Sequence, residues 1–180
     1  MADEPDAMPE IWHMGLRNPW RFTLTPNGDT MFIADVGDSA WEEVNVVSGT
    51  VGGLNFGHPY YEGETISHPF TEEELDRSRF VFPAAVYPHA REGLDRLLSF
   101  CAVIGGLVYD GDDLPGLRGQ YFYSDWCSGT VWRMVERGGE WEPEIFMANT
   151  PYNINTFGQD VDGKIYIATA SGKLLKLVVR

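Results

Sequence analysis

Residues 27–35 read as a glycine turn, an apolar run through Met31, Phe32 and Ile33, a small residue, and a polar exit at Asp35. The same order of apolar and polar positions returns at 119–125 and again at 162–169. Each copy is preceded by a strand-like run, at 21–26, 103–110 and 153–161. Each is followed by a glycine and another such run, at 43–47, 130–135 and 173–179. Enrichment in β-branched and aromatic residues predicts strands, and strand, turn, strand, turn, strand is a meander. Phe122 and Tyr166 stand 44 positions apart, the period of a propeller blade of four antiparallel strands.

Phe32 and Phe122 are separated by about twice that period, and the excess lies in 60–97. This stretch is rich in Glu, Pro and His, with one helical turn expected at 71–75, and reads as a long surface insertion. The pattern therefore predicts an all-β chain of three four-stranded propeller blades, at 16–59, 98–149 and 150–180. A further strand is expected at 9–14. A β-sandwich is the competing arrangement of the same strands. Trp12, Trp20, Trp126, Trp132 and Trp141 are expected to pack between blades.

At 180 residues the chain has room for one domain or a small array of repeats. Its 27 acidic residues against 13 basic ones give a net charge of −14, which repels phosphate backbones and anionic membrane surfaces. No apolar run approaches the roughly 20 residues of a membrane span, and residues 1–10 lack an apolar signal core. The chain is read as a mature form or a trimmed one. Cys101 and Cys127 each sit beside a repeat strand, so a cross-strand disulfide and two core thiols are both open. A disulfide would point to an oxidising compartment.

Five motifs stand in order: Gly15 to Trp20, Phe32 to Gly37, Trp41 to Asn45, Asn55 to Gly63, and the pair Ile104 to Tyr109 with Phe157 to Tyr166. Together they resemble the soluble glucose/sorbosone (aldose sugar) dehydrogenase family that uses pyrroloquinoline quinone (PQQ). The resemblance covers nearly the whole chain. It implies a six-bladed β-propeller of roughly twice this length, of which this chain is the C-terminal half, and a periplasmic or secreted location.

The resemblance also assigns roles. Arg17 and Asn18 match the pair that holds PQQ, since a guanidinium fork suits carboxylates and an amide can donate to a quinone oxygen. Gly37 and Asp38 match the loop whose carbonyls hold the cofactor calcium. Glu42 and Glu43 match acidic ligands of a second calcium, with a solvated turn as the alternative. The family's catalytic histidine belongs to the other half, and none of His13, His58, His68 or His89 matches it. Asn153 and Asn155 stand where PQQ-binding members carry an Arg-x-Arg, and neutral amides grip carboxylates more weakly than cations do.

Half a ring exposes an apolar face at each end, so closure by a second copy, a homodimer, is expected. The 9–14 strand is expected to fill a vacant outer position, across the partner. The functional expectation is oxidation of a sugar or alcohol hydroxyl with hydride passed to PQQ. The alternatives are a non-catalytic propeller that binds a sugar, another small molecule or a protein, and a lectin-like or signalling ectodomain.

Overall fold

A computed structural model describes residues 8–89 and 99–178. They form four sheets. The first joins β1 (Pro19–Leu24), β2 (Thr30–Asp35), β3 (Trp41–Ser48) and β6 (Ala85–Pro88) in that spatial order, all antiparallel. Between β3 and β6 lies a small hairpin of β4 (Tyr61–Glu62) and β5 (Thr65–Ile66). The second sheet is the meander β7 (Val103–Val108), β8 (Tyr121–Asp125), β9 (Val131–Arg137) and β10 (Glu140–Met147). The third is β11 (Ile154–Gln159), β12 (Ile165–Thr169) and β13 (Leu174–Lys176).

The three repeats seen in the sequence are β2, β8 and β12, the second strand of each large sheet. The apolar runs of β2 and β8 are long because these strands are buried on both faces, whereas β12 alternates, with Tyr166 and Ala168 half-buried. The first strands β1, β7 and β11 lie side by side. Thr23 Oγ1 donates to the Gly106 carbonyl at 2.8 Å, and Arg21 Nη1 donates to Thr156 Oγ1 at 2.6 Å and to the Phe157 carbonyl at 2.7 Å. Gly105 and Gly106 permit this approach. A Cβ on Gly105 would stand 2.9 Å from Arg21 Cβ on β1, and one on Gly106 would stand 3.1 Å from Phe157 Cδ2 on β11.

Two aromatic-rich cores fill the gaps between successive sheets. Phe32, Tyr121, Tyr123 and Trp132 pack between the first and second, with Phe32 and Tyr121 stacked at 4.5 Å. Phe122, Ile154, Phe157 and Ile165 pack between the second and third. Cys101 and Cys127 form a disulfide with Cα atoms 5.7 Å apart, so the bridge, and not the pair of thiols, is present.

Three features depart from the sequence reading. Ala85–Pro88, inside the stretch read as an insertion, is the fourth strand of the first sheet. It is four residues long and ends in proline, which an edge strand tolerates and a periodicity search passes over. The short helical turn expected at 71–75 is present, as a 3-10 turn at Glu72–Glu74 between caps Thr71 and Leu75; residues 90–98 fall outside the described residues. The N-terminal segment turns back onto its own chain: Met14 N–H donates to the Leu54 carbonyl at 2.9 Å and Phe56 N–H to the Met14 carbonyl at 3.0 Å. Of the five tryptophans expected between blades, only Trp132 and Trp141 join the cores, while Trp12, Trp20 and Trp126 remain exposed.

Candidate functional site

The loop joining β2 to β3 is wound around one carboxylate. A single oxygen of Glu62, on β4, accepts the backbone N–H groups of Asp38, Ser39, Ala40 and Trp41 at 2.7, 2.9, 2.9 and 3.1 Å. Successive amides turned inward make an anion-binding nest, here filled from within the chain. Burial alone would raise the Glu62 pKa, but the four amides together hold it below the ordinary glutamate value. Gly37 is needed at the mouth of this loop, since a Cβ there would lie 1.7 Å from the Trp41 carbonyl oxygen.

Arg17 ties the other side of the loop to the strand that leads into β1. Its Nη1 donates to the carbonyls of Val36 at 3.1 Å and Gly37 at 2.7 Å, and its Nη2 to Asp38 Oδ1 at 2.7 Å. Beneath it Asp35 accepts the N–H groups of Arg17 at 2.9 Å and Asn18 at 2.6 Å. These groups line a cleft of about 560 Å³ with Gly15, Glu43, Phe56, His58, Glu62 and His68.

Glu42 and Glu43, neighbours on a strand, point to opposite faces, as a two-residue repeat requires. Glu43 faces the cleft and accepts the Gly63 N–H at 2.5 Å. Burial, with the nearby negative charges of Asp35 and Glu62, pushes its pKa up to about 7 against the Gly63 bond. Glu42 is fully buried on the other side, where one oxygen meets His89 Nδ1 at 2.5 Å and the other accepts the Val103 N–H at 2.9 Å. It thereby bridges β3, the end of β6 and the start of β7. Burial raises its pKa despite these partners. Burial likewise raises that of Asp35 over its two amide bonds.

Of the six residues assigned from sequence, the structure thus brings Arg17, Gly37, Asp38 and Glu43 together on the cleft. Asn18 sits behind it through its backbone, and Glu42 belongs to a different contact, so the two glutamates do not form one cation site. Glu62, His58 and His68 were given no site role from sequence, although His58 and Glu62 lie within the Asn55 to Gly63 motif, and the hairpin β4–β5 carries Glu62 to the loop.

Asn153 and Asn155 both attend to Trp126. Asn153 Nδ2 donates to the Trp126 carbonyl at 2.8 Å, and the indole N–H donates to Asn155 Oδ1 at 3.1 Å.

The fit of these residues to PQQ is divided. Arg17 presents a guanidinium at the cleft, though Asp38 already balances it. The cleft otherwise carries Asp35, Glu43 and Glu62, and the amides at 153 and 155 bring no cation for a tricarboxylate. Calcium does not fit the arrangement as it stands. The Gly37 carbonyl faces a guanidinium, and among the described residues no three His, Cys, Asp or Glu side chains group to hold a metal ion.

A sequence profile described as glucose/sorbosone dehydrogenase matches residues 1–176. The HIPL2 protein of Arabidopsis thaliana is 35% identical over 135 residues, 73% of this chain and 19% of its own length. Among solved structures, the apo-form soluble aldose sugar dehydrogenase of Escherichia coli superposes with a TM-score of 0.70 at 20% identity. That match covers 99% of this chain and 49% of the other. The PQQ-bound aldose sugar dehydrogenase of Streptomyces coelicolor gives a TM-score of 0.61 at 17% identity, covering 92% and 44%. At these identities the structural likeness is one of fold, to β-propeller sugar dehydrogenases, and the chain spans about half the length of those proteins.

Proposed function

Because the chain belongs to the glucose/sorbosone dehydrogenase family, we propose that it is half of a six-bladed β-propeller of the quinoprotein sugar dehydrogenase type. In this reading it forms one wall of an axial site at which the complete ring oxidises a sugar or alcohol hydroxyl. The observation that carries the proposal is the convergence of motif residues from three separate stretches, 15–17, 35–43 and 56–62, on one cleft with the Arg17 guanidinium in it. When bound, PQQ supplies the hydride acceptor. Arg17 is the side chain of this half that would face it, with Asn18 alongside. Of the two carbonyls assigned to calcium, that of Gly37 accepts from Arg17, whereas Arg17 meets Asp38 only through its side chain. No histidine of this chain matches the family's base, so in a ring of two copies the proton acceptor would have to be recruited elsewhere.

Closure of the ring by a second copy follows from the same reading. Trp20, Phe22 and Leu24, alternate residues of β1, form an exposed apolar row on the side away from the second sheet. Leu174 and Val178 are exposed at the opposite end of the arc. A propeller buries such faces against further blades.

A second reading is a propeller that binds its ligand without oxidising it, and the commitment of Asn153 and Asn155 to Trp126 favours it. The two separate in one experiment. The purified protein is melted with and without PQQ and calcium, then assayed for dye reduction with glucose and other aldoses. A raised melting temperature with turnover is the expected result for the oxidoreductase. Absence of turnover and of any shift assigns the chain to the binding reading.

A further inference from the structure

We infer that residues 4–10 of one copy form the fourth strand of the third sheet of a second copy. The inference deepens the closure reading, on which it rests, by naming the segment that joins the two halves. Among the described residues the first and second sheets have four strands and the third has three, so β13 is an open edge. Lys173 and Leu177 turn backbone groups toward β12: the Thr169 N–H donates to the Lys173 carbonyl at 3.0 Å, and the Leu177 N–H to the Ile165 carbonyl at 2.9 Å. Backbone direction alternates along a strand, so the N–H and C=O groups of Leu174 and Lys176 face outward, where a further strand would pair.

The second sheet shows the make-up of a fourth strand in this chain. β10 carries Glu142, Pro143 and Glu144, and its glutamates pair with cations of β9: Arg133 meets Glu144 at 2.8 Å and Arg137 meets Glu142 at 2.7 Å. The same order of acid, proline and acid stands at Glu4, Pro5 and Asp6, outside the described residues. Pro9 follows Pro5 by four positions, so a strand that pairs through its even-numbered residues turns both missing N–H groups to solvent, as an edge strand tolerates. On the other side of the pairing, Lys173 and Lys176 stand exposed at β13, as the arginines do on β9. The charges match over a longer span. Residues 1–10 hold four acidic side chains and no basic one, and residues 163–180 hold four basic side chains and no acidic one, in a chain of net charge −14. Trp12 and Met14 are held by their own chain, the Gly53 N–H donating to the Trp12 carbonyl at 2.8 Å, which leaves the residues before them to cross. In a ring of two copies the first sheet of each lies beside the third sheet of the other, so the acidic stretch meets the partner's edge.

The test is light scattering at micromolar concentration on the 180-residue protein and two charge-reversed variants. One variant carries Glu4→Lys, Asp6→Lys and Glu10→Lys; the other carries Lys173→Glu and Lys176→Glu. Each alone sets like charges against each other at both junctions and should raise the dimer's dissociation constant about tenfold or more. An equimolar mixture of the two restores opposite charges at both junctions and should dimerise as the wild type does. That recovery also shows that neither variant lost its dimer by misfolding. A mixture that stays monomeric overturns the inference, and so do variants that each dimerise as the wild type does, while closure through the apolar faces then stands. A wild type that is itself monomeric removes closure, and the strand exchange with it.

Discussion

Asp35 and Asp125 occupy the same place in successive sheets, and each gathers the two backbone N–H groups that lead into its sheet's first strand. Asp35 takes those of Arg17 and Asn18; Asp125 takes those of Cys101 and Ala102 at 2.9 and 3.0 Å. The repeat thus conserves, from one sheet to the next, a carboxylate that fixes where the innermost strand begins. In the first sheet that position delivers Arg17 to the cleft. In the second it delivers the Cys101 bridge that holds the turn of Trp126.

Removing the second of these carboxylates should be costly. Asp125 is fully buried and its other oxygen accepts the Ser128 N–H at 2.8 Å. Asp125→Ala strands three amides and should lower unfolding free energy by about 3 kcal/mol, read by urea denaturation. Asp125→Asn, which keeps one acceptor oxygen, should lose less.

Stability should fall as pH rises from about 4.5 to about 7. Glu43 in the folded protein holds its proton up to about pH 7, against an ordinary value of 4.5. Between those values the unfolded chain releases a proton that the folded one retains, so rising pH favours unfolding, and the slope flattens above about 7. The span corresponds to about 3 kcal/mol. Glu43→Gln should abolish the upper part of this slope. The raised carboxyls of Asp35 and Glu42 should keep some slope nearer the acid end. A Glu43→Gln protein whose melting temperature tracks pH as the wild type does would contradict the assignment.

The disulfide closes a loop between residues 26 apart in sequence. Cys101→Ser with Cys127→Ser should cost about 3 kcal/mol by chain-entropy reasoning. Denaturation with and without reductant should reproduce the difference in the wild type and show none in the double variant.

The exposed row on β1 gives the closure proposal a direct test. Light scattering should find the wild type as a dimer at micromolar concentration. Phe22→Glu, which places a charge in the middle of the row, should shift it to monomer. A wild type that is a stable monomer refutes closure by a second copy.

What the chain declares locally is its repeat. The runs at 27–35 and 119–125 are legible because a strand buried on both faces must be apolar throughout, and these two and the run at 162–169 alike are followed by a turn that needs glycine. The same local order placed Arg17 near the loop at Gly37, since both flank strands that pair. The two-residue repeat even dictates that Glu42 and Glu43 diverge.

Which face each glutamate takes, and what it meets there, depends on parts of the chain far away. Glu42 meets His89 and Val103 only because β6 returns across a long excursion to pair with β3 and the second sheet packs beside them. Glu62 reaches the amides of 38–41 only through the β4–β5 hairpin. Trp126 stays in water because Asn153 and Asn155, at the head of the next sheet, take its polar groups while leaving its face open. Strand identity is written in short-range periodicity, which the sequence displays directly. The cleft and the exposed tryptophan arise from packing between sheets, where hydrogen-bond partners are chosen by geometry across many residues and leave no mark in local spacing.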